Sequence, residues 1–172
     1  MCCGPCAVYP VECLQDKYDL KGLFFNPNIH PYTEYKKRME TALDFSDRVG
    51  LDTIVIDEYN LDDFLRNAAF RENQRCIACY STRLDRAASV AKRGKFDVFT
   101  TTLLVSPYQK HELIKKIGEE AAQKYGIDFL YLDFRLGYKE GVEKSKQLEL
   151  YRQQYCGCIY SERDRYLRKK QK

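Results

Sequence analysis

The chain has 172 residues, 44% of them hydrophobic, with a formal net charge of +4, which suits one domain or one domain with a short appendage around a sizeable core. No run of about 18 apolar residues occurs and no charged segment precedes an apolar one at the amino end, so neither a membrane span nor a secretory signal is expected, and the protein is expected to be cytoplasmic. In that reducing compartment eight cysteines argue against a disulfide framework and for metal binding or redox chemistry.

The chain opens Met1-Cys2-Cys3-Gly4-Pro5-Cys6. Thiols spaced this closely converge if the backbone turns through Gly4-Pro5, and convergent thiolates suit a soft metal or a cluster. Pro5 ahead of the apolar run Ala7 to Leu14 fits the first turn of a helix, whose N-terminus favours thiolates. Cys13, inside that pattern, reads as core. Leu20 to Phe25 is a short buried strand closed by Asn26-Pro27-Asn28. Thr33 to Val49 carries the apolar spacing of a helix, with Gly50 as its cap. Thr53 to Ile56 is a second strand, and Asn60 or Asp62 caps a short helix through Arg66. Arg75-Cys76-Ile77-Ala78-Cys79-Tyr80 precedes a helix over Thr82 to Lys92 that Gly94 stops. Phe96 to Leu104 is strand-like, a helix follows from about Gln109 to Tyr125, and Ile127 to Phe134 is another buried strand. Gly141 to Tyr151 is helical and leads into Tyr155-Cys156-Gly157-Cys158. The last twelve residues, Ser161 to Lys172, hold six Lys/Arg against Glu162 and Asp164. They carry the whole net charge, as a basic tail reaching toward phosphate or as a solvated helical end.

Strands and helices alternate, and the strands are apolar throughout, which predicts an α/β architecture: a Rossmann-like (HUP-like) parallel sheet with helices on both faces. Residues 1–160 form that domain and residues 161–172 a basic tail. A loop and helix at residues 4–14 ordinarily follow a strand, yet only Met1 stands there. The first strand is therefore expected to be missing, leaving strand edges uncovered. Cys2 to Cys6, Asn26 to Tyr32, Thr100 to Thr102 and Asp133 to Arg135 fall at strand ends, where such sheets gather their ligands.

Seven of the eight cysteines belong to motifs: Cys2, Cys3 and Cys6, the pair Cys76 and Cys79, and the pair Cys156 and Cys158. A Cys-x-x-Cys with a Cys-Cys pair offers four thiolates, the complement of a cubane and equally of a zinc site. Cys156-Gly157-Cys158 reads as a strained, redox-active pair or as two metal ligands. His30, on a loop at a strand end, is a candidate to orient substrate or donate a proton, or else a structural hydrogen-bonding residue. His111 looks like solvent surface. No phosphate-binding glycine loop occurs.

Taken together, Cys-Cys-Gly-Pro-Cys, Phe-Phe-Asn-Pro-Asn-Ile-His-Pro-Tyr-Thr-Glu-Tyr, Arg-Cys-x-x-Cys, Thr-Thr-Thr-Leu-Leu-Val-Ser-Pro-Tyr and Tyr-Cys-Gly-Cys-Ile resemble the cobalamin-independent epoxyqueuosine reductases over nearly the whole chain. The resemblance implies a tRNA-modifying reductase of the last step of queuosine formation, a two-electron deoxygenation of the epoxide at the wobble position. It implies a [4Fe-4S] cluster on Cys2, Cys3, Cys76 and Cys79, a second, mononuclear iron with Cys6 as a ligand, and a redox-active pair at Cys156 and Cys158. The partners it implies are tRNA carrying epoxyqueuosine and an electron donor. Two other readings of the same residues are a zinc-stabilised RNA-binding module without catalysis and a thiol oxidoreductase using Cys76 and Cys79.

Overall fold

Helix α1 (Gly4–Leu14) begins where Pro5 supplies a helical φ and needs no donor partner, with Cys3 in extended backbone as its N-cap. In the computed structural model, which describes residues 1–167, strand β1 (Gly22–Phe24), helix α2 (Tyr32–Val49) and strand β2 (Thr53–Val55) follow. Next come helices α3 (Leu61–Ala68) and α4 (Arg75–Arg93), strand β3 (Val98–Phe99), helix α5 (His111–Tyr125) and strand β4 (Asp128–Phe129). Helices α6 (Tyr138–Gln147) and α7 (Ile159–Tyr166) close the order.

The fold is mixed α/β and both strand pairs are parallel, β1 with β2 and β3 with β4. They form two separate two-stranded sheets, so the single continuous sheet expected from the sequence is not formed among the described residues. The strand expected over Phe96 to Leu104 contracts to β3 because the Thr101 hydroxyl accepts from the Leu103 N–H and turns the chain into a 3-10 segment, Thr102–Val105. Asp133 does the same after β4, accepting from the Arg135 N–H at the start of Phe134–Gly137.

Helix signals were more legible. Gly50 takes the left-handed conformation that ends α2, at φ 66°, and the Asn60 side chain caps α3 by accepting from the Asp63 N–H. α4 begins at Arg75 rather than Thr82, which places Cys76 and Cys79 in its first turns rather than ahead of it. α6 lies over Tyr138–Gln147, and Glu149, at φ 53°, breaks the helical path short of the expected Tyr151. Ser161 to Tyr166 belong to α7, tied to α4 by Arg75, whose Nη2 lies 2.7 Å from an Asp164 oxygen. The remaining basic residues, Arg168, Lys169, Lys170 and Lys172, lie outside the described residues. None of the described helices is long and apolar enough to cross a membrane.

The main core gathers Leu84 and Ala88 of α4, Ile114 and Ile117 of α5, Phe99, Leu104 and Phe134, and it includes Cys2 and Cys3. Cys13 is half-buried at its margin. A second cluster joins Tyr35 and Ala42 of α2 to Phe24 and Ile29. The start of α1 presses on α2 so closely that a Cβ on Gly4 would lie 2.6 Å from the Thr41 carbonyl oxygen. His111, expected at the surface, is buried. Its Nε2 lies 3.1 Å from the Ser106 carbonyl oxygen, and its ring meets Tyr131 edge-on.

Candidate active site

Three thiols meet at the head of α1. The Sγ atoms of Cys2, Cys3 and Cys6 all lie within 4.8 Å of one another, Cys2 and Cys3 buried and Cys6 half-buried. The strand ends hold this segment: the Cys2 N–H donates to Thr102 Oγ1 at 3.3 Å, Asn26 Nδ2 donates to the Met1 carbonyl at 2.9 Å, and the Met1 amino group donates to the Leu23 carbonyl. Hydrogen bonds from Cys3 and then Cys6 hold the Cys2 thiol well below the ordinary range. Burial, and then the bond to Cys2, pushes Cys3 up, while the bonds Cys6 makes to Cys2 and Cys3 push it well up. The set therefore places its first negative charge on Cys2. A metal would displace the shared protons, since it is the thiolate that ligates.

Cys76 and Cys79 stand three residues apart on α4, so both face one side of the helix. They pack against the same core as Cys2 and Cys3. Burial pushes the Cys79 thiol up to about 12. Arg83, one further turn along, is the nearby cation. Burial opposes its charge, but Cys79, Cys2 and Cys156 together raise its pKa.

The third thiol group lies in the loop before α7, where Cys158 is the N-cap. Cys156 is exposed, Cys158 is buried, and all eight cysteines are free thiols. Burial of its Sγ surroundings raises Cys156 even so, with the Gln109 amide opposing from 3.3 Å. The loop is held by α2. Arg38 is fully buried, pairs with Glu34 at 2.7 Å, and donates to the Cys156 carbonyl at 2.8 Å and the Tyr155 carbonyl at 2.9 Å. The other Glu34 oxygen accepts from the Tyr151 hydroxyl. Gly157 has φ 154°, a conformation that favours glycine, and a Cβ there would lie 3.2 Å from Ile29 Cγ1.

His30 meets this loop through its main chain: its N–H donates to the Gly157 carbonyl at 2.8 Å, and its carbonyl accepts the Tyr155 hydroxyl at 2.6 Å. Its imidazole is fully buried against Tyr59 and Phe64 without a hydrogen-bond partner for either nitrogen, and burial pushes it down to about 4. Four site residues went unread in the sequence. Gln153 links two thiols, accepting from Cys3 Sγ at 3.2 Å while its Nε2 donates to Cys6 Sγ at 3.1 Å, and it had no signal beyond nearness to Cys156. Gln109 and Arg83 likewise look like ordinary polar residues. Arg38 did carry a signal. It occupies the buried stripe Tyr35, Arg38, Ala42 and Phe45 of α2, where a charge demands a partner.

The profile of the family described as epoxyqueuosine reductase QueH matches residues 1–164. An epoxyqueuosine reductase QueH of Dehalococcoides mccartyi is 34% identical over 166 residues, 96% of this chain and 91% of that protein. That of Thermotoga maritima is 34% identical over 171 residues, 94% and 87% of the two chains, and that of Acinetobacter baylyi is 36% identical over 173 residues, 95% and 78%. With the profile matched over residues 1–164 and relatives 34% identical over more than nine-tenths of its length, the chain belongs to the epoxyqueuosine reductase QueH family.

Proposed function

We propose that this chain reduces epoxyqueuosine in tRNA to queuosine in the cytoplasm, with a [4Fe-4S] cluster on Cys2, Cys3, Cys76 and Cys79 and a working dithiol at Cys156 and Cys158. Both C–O bonds of the epoxide break, the two carbons become an alkene, and the oxygen leaves as water after taking up two electrons and two protons. The observation that carries this reading is the convergence of Cys2, Cys3 and Cys6 against the core that also receives Cys76 and Cys79. Four soft thiolates fit a cubane, and Cys6 is left over as a ligand for a second iron. When bound, the cluster would relay electrons singly and the second iron would polarise the epoxide oxygen.

The chain's own residues do the rest. Arg83 offsets the thiolate charge, and Gln153 fixes Cys3 against Cys6. Arg38 holds the Tyr155 and Cys156 carbonyls, which keeps the exposed Cys156 thiol where a nucleoside can approach. Oxidation of Cys156 and Cys158 to a disulfide releases the two electrons and two protons the reaction consumes, and an external electron donor restores the thiols. His30 is a positioning residue through its main chain, because an imidazole neutral at pH 7 and buried is a poor proton source. Arg163 and Arg165 of α7, with the basic residues beyond, are read as tRNA phosphate contacts. The scaffold is read as a Rossmann-like sheet opened at its centre, which the parallel register of both pairs supports. A zinc-bound RNA-binding module is not favoured, since the relatives are named as reductases.

The test is to purify the protein without air, measure iron, sulfide and zinc per chain, and assay tRNA carrying epoxyqueuosine. About four to five irons with matching sulfide are expected, and Cys76→Ala should lose them. Unchanged iron in that variant, or about one zinc without sulfide, sinks the cluster assignment.

A further inference from the structure

Beside the thiols, two tyrosines form an open corner. Tyr108 is 82% exposed, yet the turn that carries it is tied down. Pro107 fixes the backbone before it, the Tyr108 N–H donates to Ser106 Oγ at 3.3 Å, and the Gln109 N–H donates to the Ser106 carbonyl at 3.2 Å. The Gln109 side chain then bridges two elements: its Oε1 accepts from the Tyr80 hydroxyl of α4 at 2.7 Å, and its Nε2 donates to Cys156 Sγ at 3.3 Å. Tyr108 is therefore held one residue from a side chain that touches the exposed Cys156 thiol.

Tyr138, at the start of α6, meets the Tyr108 ring edge-on with centroids 6.1 Å apart. It also lines a recess of about 70 Å³, together with Pro5, Cys6, Val105, Arg152 and Gln153. Such a recess has room for about five water-sized groups, enough for a small ring and too little for a purine-like base. Arg152 is half-buried, and among the described residues only its main chain is engaged, its carbonyl accepting from Gln154 Nε2 at 3.1 Å. A guanidinium with its donors uncommitted and partly out of water favours an oxyanion such as phosphate. An exposed tyrosine face suits a flat base, since the splayed bases of single-stranded loops stack on aromatic rings.

We propose that Tyr108 and Tyr138 seat the wobble base and Arg152 the phosphate beside it, so that the epoxide-bearing five-membered ring enters the recess against Cys6. The assignment rests on the proposed reduction of epoxyqueuosine in tRNA and adds how the nucleotide is held. A nucleotide splayed out of the anticodon loop offers a flat face, a phosphate and one small ring, and the corner offers a partner for each. The recess excludes the base, so the base stays outside on the tyrosines while the smaller ring goes in. Gln109, next to Tyr108, bonds Cys156, and Gln153, in the recess wall, bonds Cys6, so the seat joins the two thiol groups the reaction uses.

The test uses protein purified without air and an anticodon stem-loop RNA carrying epoxyqueuosine, measuring iron per chain, Kd, KM and kcat. Tyr108→Ala should keep its iron and raise Kd and KM by about tenfold, within the range of one lost base stack, with a smaller change in kcat. Tyr108→Phe keeps the aromatic face and should stay within about twofold of the unaltered chain. Arg152→Gln should flatten the slope of log Kd against log salt by about 0.7, the share of one phosphate contact on a single strand. A stem-loop abasic at the wobble position should bind the unaltered chain and Tyr108→Ala alike. The assignment alone is overturned if the unaltered chain binds and reduces the modified stem-loop but Tyr108→Ala matches it or loses its iron, or if Tyr108→Phe fails as badly as Tyr108→Ala. An unchanged salt slope in Arg152→Gln, or a Tyr108→Ala deficit that persists on the abasic stem-loop, overturns it equally. An unaltered chain that neither binds nor reduces the modified stem-loop overturns the reductase reading and this assignment together.

Discussion

At the amino end of α1, Cys2 and Cys3 are buried and a third thiol closes on them; at the amino end of α7, Cys156 is exposed and only Cys158 is buried. Cys3 and Cys158 are both helix N-caps in extended backbone, yet the two sites are built from different materials. The first is a cradle of thiols locked by packing and by strand ends. The second is a loop held from α2 by one buried arginine and by the main chain of His30. In the proposed function, similar local chemistry takes different roles from what surrounds it: burial with neighbouring thiols suits a metal, and exposure on a clamped loop suits exchange of electrons with something outside.

Removing a thiol from the cradle should have the largest effect. Cys2→Ala is expected to abolish most bound iron and the activity with it, measured as iron per chain after anaerobic purification, whereas Cys156→Ala should keep the iron and lose turnover. Equal iron loss in both variants would erase the distinction between the sites. The clamp comes next. Arg38→Met strands the buried Glu34 carboxylate and two carbonyls, a loss of about 3–5 kcal/mol in urea unfolding, and Arg38→Lys should recover only part of it because lysine lacks the planar fork. Retention of full stability in Arg38→Met would mean the loop is held by something else.

A smaller effect belongs to pH. His30 has a folded pKa of about 4, below the unfolded value of about 6.5, so the folded state resists protonation there. Its contribution is complete above pH 6.5 and is lost as pH falls toward 4, roughly 3 kcal/mol in all. The urea midpoint should fall across that window and flatten in His30→Phe; an unchanged slope would remove His30 from the account. Least is expected of Asp164→Ala, which deletes a partly exposed bridge to Arg75 and should cost no more than about 1 kcal/mol. A larger loss in the thermal midpoint would show that α7 is anchored by that bridge rather than by the clamped loop.

The helices were legible because their signals are local: Pro5 at the start of α1, Asn60 as a cap and Gly50 in the left-handed conformation act within a few residues. The thiol motifs were legible for the same reason, since spacing alone brings Cys2, Cys3 and Cys6 into reach of one another. The strands were overread, because Thr101 and Asp133 redirect their own backbone by side-chain hydrogen bonds that an apolar run does not announce. His111 looked exposed among Lys and Glu, but its helix turns that one position toward Ser106 and Tyr131.

By itself the sequence determined which residues are soft ligands, where most helices start and stop, and that the strands would be parallel; it did not foresee that β2 and β4 hold no buried residue. Only the tertiary structure decided that Arg38 crosses from α2 to hold the Cys156 loop, that Gln153 bridges Cys3 and Cys6, and that the two strand pairs form separate sheets. The first two outcomes depend on contacts between residues more than a hundred positions apart. Propensity and spacing act over one turn of helix and carry no information at that range.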